Sequence, residues 1–418
     1  MTTPVPSLPV RLQGKLAILA DAAKYDASCS SSAAERRDSL GGRGIGSTEG
    51  SGICHSYAPD GRCISLLKVL LTNFCTYDCL YCVNRSSSNV QRARFSVDEV
   101  VELTLAFYSR NYIEGLFLSS GIIRDADYTM EQIVEVARRL REVHDFRGYI
   151  HLKTIPEADG ELLIRAGRYA DRLSINVELA RASSLAALAP QKRADGIRTS
   201  MANIRRARDD SRDASHAGSR APRFASAGQS TQMIVGADAA DDGELLSCSH
   251  TLYQEHDLKR VYYSAFSPIP DAPAGLPLKP VDAVREHRLY QADWLMRFYG
   301  FEVGEIVAGG ENGMLDSALD PKLAWALKHR DRFPIDVNGA ERETLLRVPG
   351  LGSRGVDRVI ASRRVSALKL ADLKRIAGSV TRMKPFVIAR DWNPGNRLDA
   401  VGLRAQLLGK RAQLDLFG

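Results

Sequence analysis

Between Ser65 and Gly300 the chain alternates short apolar, β-rich runs with longer stretches whose apolar positions recur at helical spacing. The predicted strands are "SLLKVLLTNF", "IEGLFLSSG", "GYIHLKTI", "DRLSINVEL", "STQMIVG" and "KRVYYSAFSPI". Between and after them come helical segments: "SVDEVVELTLAFYSR", "TMEQIVEVARRLREV", "DGELLIRAGRYA", "DDGELLSCSHTLYQEH" and, closing the series, "AVREHRLYQADWLMRFYG". Ser96, with Glu99 three residues on, predicts an N-cap and capping box for the first helix. Six β-then-α units predict an α/β fold with a parallel sheet and right-handed crossovers, either an open sheet or an incomplete barrel.

Chemistry in such folds collects at the C-terminal ends of the strands. Polar residues stand there: "LSSG" ends the second strand, His151 and Lys153 share a face of the third, and Ser174, Asn176 and Glu178 share a face of the fourth. Such a face either meets water at a solvated edge or lines the cavity of a barrel. The polar stretch from Leu185 to Ala227, with Arg205, Arg206, Arg208 and Arg212, reads as a helix plus loop or as a basic contact for substrate.

Charge separates the end of the chain from the rest. From Asp331 onward, 17 Lys and Arg stand against nine Asp and Glu, while residues 1–330 are close to neutral. That is where a polyanion is expected to bind. The first residues lack the long apolar stretch of a secretory signal, and no apolar run reaches membrane-spanning length, so a cytoplasmic protein without a membrane is expected. Seven cysteines, an odd number, argue against a disulfide framework.

Three of them fall within "CTYDCLYC": Cys75, Cys79 and Cys82, in the loop after the first strand, where three thiolates can converge. A cubane cluster usually takes four cysteines, so three leave one iron open, the mark of a catalytic metal site. Zinc is the competing reading, with His55 completing a Cys3His set.

The CxxxCxxC spacing after the first strand, with aromatic Tyr81 before the third cysteine, resembles the radical S-adenosylmethionine (radical SAM) superfamily over about residues 65–300, with the core domain expected to span 65–310. The resemblance implies a partial (β/α)6 TIM-like barrel and a [4Fe–4S] cluster on Cys75, Cys79 and Cys82, the catalytic set. It further implies S-adenosyl-L-methionine on the open iron, cleaved by one-electron reduction to methionine and a 5′-deoxyadenosyl radical, and a reductant such as flavodoxin or ferredoxin. By the same resemblance Tyr81, Ser119, Ser120, Gly121, Lys153, Asn176, Glu178 and Gly236 are the candidate cofactor contacts. The acidic residue usual beside the Ser119–Gly121 segment is missing. Residues 1–64 read as an N-terminal wrapping extension; its Cys29, Cys54 and Cys63 either ligate an auxiliary cluster or are small buried cysteines. Cys248 is expected in the core.

A second motif lies in residues 331–395. In "VNGAERETLLRVPGLGSRGVDRVIASRR", Asn338 and Glu341 are expected to cap a helix running to Val348, and "PGLG" turns into another. It resembles the helix-hairpin-helix of DNA repair proteins. The resemblance implies phosphate contact through Gly350, Gly352, Ser353 and Arg354, without sequence reading. Leu345, Val348, Leu351, Val356, Val359 and Ile360 are expected to pack the hairpin, and Leu373, Ile376 and Gly378 echo it. Together the two parts resemble a bacterial group of radical SAM proteins described as DNA modification or repair proteins. The lead expectation is a nucleoid-associated radical SAM enzyme acting on a base or sugar of DNA. The alternatives are an RNA-modifying radical enzyme and a DNA-binding iron–sulfur protein without turnover. In the tail, residues 396–418, Gln413, Leu414, Leu416 and Phe417 resemble the peptide that docks on the replication sliding clamp, or else pack back as a helix end.

Overall fold

The computed structural model describes residues 10–23, 52–57, 63–216, 224–395, 398 and 401–409. It divides into two compact units, one of residues 1–238 with 251–280, the other of 239–250 with 281–418.

The first unit is built on a seven-stranded sheet in the order of the chain: β1 (Ile53–Tyr57), β2 (Cys63–Leu70), β3 (Gly115–Ser119), β4 (Tyr149–Lys153), β5 (Arg172–Ser174), β6 (Gln229–Val235) and β7 (Arg260–Ala265). Strands β2 to β7 pair in parallel and curl as a half-barrel, which settles the choice left by the sequence pattern. Each of the six predicted runs overlaps one of them. β3 is the plainest case: all five of its residues are buried, which writes a parallel strand as a continuous apolar run, whereas β6 buries Gln229, Ser230, Thr231 and Gln232 ahead of its apolar end. β1 was not expected: part of the wrapping extension pairs antiparallel with β2, in the register Cys54 to Leu66 and Tyr57 to Cys63.

Helices α1 (Val10–Ala23), α2 (Val97–Ser109), α3 (Ala126–Arg138), α4 (Gly160–Tyr169), α5 (Ala182–Leu188) and α6 (Ala194–His216) belong to this unit, as does α7 (Asp242–His256) from Thr251 on. α2 starts as its sequence predicts. Ser96 Oγ accepts from the Glu99 amide at 3.2 Å, and the Glu99 carboxylate accepts from the Ser96 amide at 2.8 Å. Its Val100, Leu103 and Phe107 are buried. Lys15 of α1 pairs with Glu99 at 2.6 Å.

The second unit contains α8 (Ala283–Phe298), α9 (Val303–Val307), α10 (Pro321–Lys328), α11 (Arg342–Leu346), α12 (Ser353–Arg363), α13 (Leu370–Ala377) and α14 (Leu403–Leu407), with a two-residue parallel pair of Ile335–Asp336 and Val387–Ile388. Thus α8, read from sequence as the closing helix of the barrel series, groups with the C-terminal helices. Among the described residues no helix is long and apolar enough to cross a membrane.

Candidate iron–sulfur site

The chain leaves β2 through Leu71, Thr72 and Asn73 and then enters the cysteine loop. Two N–H groups hold the loop against the end of β3: Gly121 donates to Thr72 O at 2.8 Å, and Thr76 donates to Ile122 O at 2.8 Å. The strands run so close here that a Cβ on Gly121 would lie 2.3 Å from Phe74 O. Glycine is therefore needed at 121 by backbone approach alone.

The Ile122 amide points at Cys75 Sγ (3.4 Å), and the Asn84 amide points at Cys82 Sγ (3.4 Å). A tight turn, Cys82 N–H to Cys79 O at 2.8 Å, brings the second and third cysteines together. The three thiols feel one another electrostatically. Burial raises the pKa of Cys79, with Glu178 and Cys75 adding to the rise against Lys192. Burial pushes Cys82 up to about 12, against the Asn84 amide, and Cys79 and Cys75 add to it.

Thiolates so close together, with Cys79 buried and Cys75 and Cys82 half-buried, need positive charge, which metal ions supply. Among the described residues no three His, Cys, Asp or Glu side chains close around a single ion. A cubane does not require that, since each cysteine binds a different iron. Three neighbouring thiols, two of them receiving backbone N–H groups, fit a [4Fe–4S] cluster.

Sequence reasoning missed what surrounds the thiols. The end of α5 and the segment that follows it back the loop: Leu80 N–H donates to Leu188 O at 2.7 Å, and Asp78 N–H to Gln191 Oε1 at 3.3 Å. From that segment Lys192 reaches Glu178, Nζ to Oε1 at 2.5 Å. Burial alone would lower the Lys192 pKa, but Glu178, with Tyr81 and Cys79, raises it well above the usual lysine value. Nearby, the carboxylate oxygens of Glu157 are buried. Burial raises that carboxyl, with Lys192 opposing and Glu178 adding. The Tyr81 hydroxyl is buried too, its pKa raised by burial and by Glu178. The only prior signal for Lys192 was a basic, polar stretch. The arginines further along serve the helix face instead: Arg205 donates to Glu255 O at 2.6 Å and Arg208 pairs with Asp257.

Ser174, Asn176 and Glu178 are all buried, which overturns the solvated-edge alternative for this face. β5 itself ends at Ser174, and Glu178 has a left-handed backbone (φ 63°) that turns it out of strand alternation. Asn176 Nδ2 donates to Glu178 Oε2 at 3.4 Å. Ser119 ends β3 and is buried, whereas Ser120 Oγ bonds its neighbour Gly121 O at 2.6 Å. Lys153 ends β4, and Gly236 follows β6 with φ 77°. Cys54 packs with Ile64, Leu66, Phe117 and Tyr149, as a small core residue does, and Cys63 is exposed. Cys29 and the His55 side chain lie outside the described residues, as do Gln413, Leu414, Leu416 and Phe417. Cys248, expected in the core, is only half-buried.

In the second unit α11 and α12 are joined by the "PGLG" turn, with Gly350 at φ 78° and Gly352 at the start of α12. Leu345, Val348, Leu351, Val356 and Val359 are buried; Ile360 is partly so. Gly350, Gly352 and Arg354 are exposed, and Ser353 N–H is taken by Tyr299 Oη at 3.2 Å. The expected capping by Asn338 does not occur. Glu341 precedes α11 without a side-chain cap, and Asn338 bonds Leu368 on both sides, Oδ1 from its amide at 2.7 Å and Nδ2 to its carbonyl at 3.3 Å. Pairing both groups of a distant residue satisfies more donors and acceptors than one cap. Gly378 repeats the Gly350 conformation, with φ 77°.

A family model described as the radical SAM superfamily matches residues 69–215, the span that carries the three cysteines, Lys192 and Glu178. That span is similar to radical SAM domains. Domains of this superfamily are enzymatic and use a [4Fe–4S] cluster with S-adenosylmethionine. Among solved structures the chain is similar to HydG, a maturase of the [FeFe]-hydrogenase, at 15% identity and TM-score 0.40, covering 54% of this chain and 48% of that one. It is also similar to methylornithine synthase, PylB, at 16% identity and TM-score 0.40, covering 54% and 61%. A radical SAM methyltransferase from Sphaerobacter thermophilus matches at 18% identity and TM-score 0.38, covering 57% and 65%. The chain thus spans about half the length of the maturase and under two thirds of the other two. No curated protein matches the sequence.

Proposed function

We propose that this chain is a radical SAM enzyme that acts on DNA, repairing or modifying a base or sugar. The observation that carries the first half is the three-cysteine loop with N–H groups aimed at Cys75 Sγ and Cys82 Sγ. Cys75, Cys79 and Cys82 would hold a [4Fe–4S] cluster, which with S-adenosylmethionine supplies hydrogen-atom abstraction by a 5′-deoxyadenosyl radical. The chain's own part is to exclude water and orient. Lys192 keeps a positive charge beside Cys79, and Glu178 fixes where that charge stands. Tyr81, Asn176 and Glu178 are the candidates to orient the bound cofactor, with Ser119, Lys153 and Gly236 at the other strand ends.

The DNA half is supported by the hairpin of the second unit. Gly350 and Gly352 leave the turn bare at the start of an eleven-residue helix, and Arg354 is exposed beside it. The Ser353 N–H is engaged by Tyr299 Oη, but the further N–H groups of the helix N-terminus and the Arg354 cation suit a phosphate, and the net positive charge after residue 331 extends the attraction. We assign the tail residues Gln413, Leu414, Leu416 and Phe417 to a clamp-docking peptide, which binding of a C-terminal peptide to purified sliding clamp would test. For the whole reading, the reconstituted protein is incubated anaerobically with S-adenosylmethionine and dithionite, with and without duplex DNA. Formation of 5′-deoxyadenosine, altered by DNA, is expected. None in either condition would remove the enzymatic reading; indifference to DNA would remove the substrate.

A further inference from the structure

The cysteine loop is closed at its base by ordinary pairing. Phe95 N–H donates to Leu71 O at 2.8 Å, Asn73 N–H to Ala93 O at 3.3 Å, and Thr72 Oγ1 to Ala93 O at 2.9 Å. The Asn73 carboxamide strengthens the closure, Nδ2 donating to Gln91 O at 2.8 Å and Oδ1 accepting from Ala93 N–H at 2.7 Å. None of these contacts reaches the far side of the loop, where Cys82 stands.

Arg92 does. Its Nη1 donates to Asn73 O, two residues before Cys75, and to Asn84 O at 2.8 Å, two residues after Cys82. Its Nη2 donates to Arg85 O at 2.6 Å, to Ser88 O at 3.0 Å and to Ser88 Oγ at 3.2 Å. One planar guanidinium therefore gathers both ends of the segment that carries the three thiols. None of these partners is a carboxylate, so the contacts shape backbone rather than neutralise charge.

We propose that Arg92 is a positioning residue for the cluster: by tying the carbonyls of Asn73, Asn84 and Arg85 to one guanidinium it sets the separation of Cys75 from Cys82. The proposal rests on the iron–sulfur reading of the loop. Lysine cannot replace it, because an ammonium offers its donors from a single point and cannot span two sides of a loop in a fixed plane. Groups that orient metal ligands from outside change metal affinity by about 10–100-fold when removed.

The test uses the full chain with Arg92→Lys, Arg92→Gln and, as a neighbouring control, Arg94→Gln, whose arginine instead donates to Tyr128 Oη at 3.0 Å. Each is reconstituted anaerobically with iron and sulfide, and loss of iron to a chelator is timed; melting of each apoprotein is measured in parallel. Both Arg92 variants should lose iron about tenfold faster or more than the wild type, with apoprotein melting little changed and Arg94→Gln behaving as wild type. Retention of iron by Arg92→Lys at the wild-type rate would overturn the proposal and leave the iron–sulfur reading standing. Failure of both apoproteins to fold would also overturn it, since Arg92 would then serve the whole unit. A wild-type chain that takes up no iron would instead sink the reading on which the proposal rests.

Discussion

Lys192 Nζ lies 2.5 Å from Glu178 Oε1, close enough to Cys79 that each of the three shifts the others' charge balance. The two come from segments 14 residues apart, one between helices and one just past a short strand. Glu178 is buried and only 18% of the Lys192 side chain is exposed. Removing one partner leaves the other charged and poorly solvated. Lys192→Met should destabilise the apoprotein by about 3 kcal/mol, while Lys192→Met with Glu178→Met should recover most of the loss. Thermal melting of the four proteins of the cycle measures this; a loss in the double variant equal to the sum of the two single losses would mean the pair is not coupled.

Cys75→Ala, Cys79→Ala and Cys82→Ala should each abolish the reconstituted cluster, as judged by iron and sulfide per chain. Cys54→Ala and Cys248→Ala should retain it, the first with some loss of stability because its side chain packs in a small apolar group. A comparable loss of iron in Cys248→Ala would disprove the ligand assignment.

Gly121→Ala places a methyl against Phe74 O, a backbone atom that cannot rotate away. The strand-end segment and the cysteine loop must part, at a cost of about 1–3 kcal/mol. The Ile122 amide then leaves Cys75 Sγ. Lower melting of the apoprotein and weaker iron retention should appear together. Wild-type values for both would show that the close approach is not kept in solution.

Lys322 is buried and donates to Leu351 O at 2.7 Å, beneath the "PGLG" turn. Burial lowers its pKa to about 7, against Asp320 and helped by Arg347. Below that value both folded and unfolded chains carry the proton; between it and the ordinary lysine value the unfolded chain binds more. Stability from this group therefore rises with pH from about 7 towards 10.5, with a slope of up to about 1.4 kcal/mol per pH unit. Lys322→Met should flatten that part of the profile. Denaturant melts between pH 7 and 10 compare the two proteins, and parallel profiles would refute the depressed pKa.

Gly350 holds φ 78°, a conformation that costs a β-branched side chain about 1–3 kcal/mol. Gly350→Val with Gly352→Val should weaken DNA binding equally on unrelated duplexes and leave DNA-free cleavage of S-adenosylmethionine unchanged. Titrations at several salt concentrations should show a shallower salt dependence as phosphate contacts are lost. Loss confined to one duplex sequence would contradict a backbone contact.

What the sequence determined by itself was whatever is written locally. β2 and β3 read as apolar runs because almost all their residues are buried, and the other four parallel strands as mixed runs between helical stretches. Ser96 and Glu99 announce a helix start because the two bonds they make lie within four residues. The cysteine triplet is legible because its ligands share one loop, and "PGLG" because the turn needs glycine at Gly350. The tertiary structure decided the rest. Arg92 reads as one more arginine until the carbonyls of Asn73 and Arg85 are folded around it, and Lys192 reads as part of a charged stretch until Glu178 stands opposite. Asn338 carries the pattern of a cap, yet Leu368, thirty residues on, offers it two bonds instead. β1 is too short and mixed to announce itself without the edge of β2. The physical reason is the same in each case: a polar side chain takes the partner that best satisfies it once buried, and which partner is near depends on chain segments far apart in sequence.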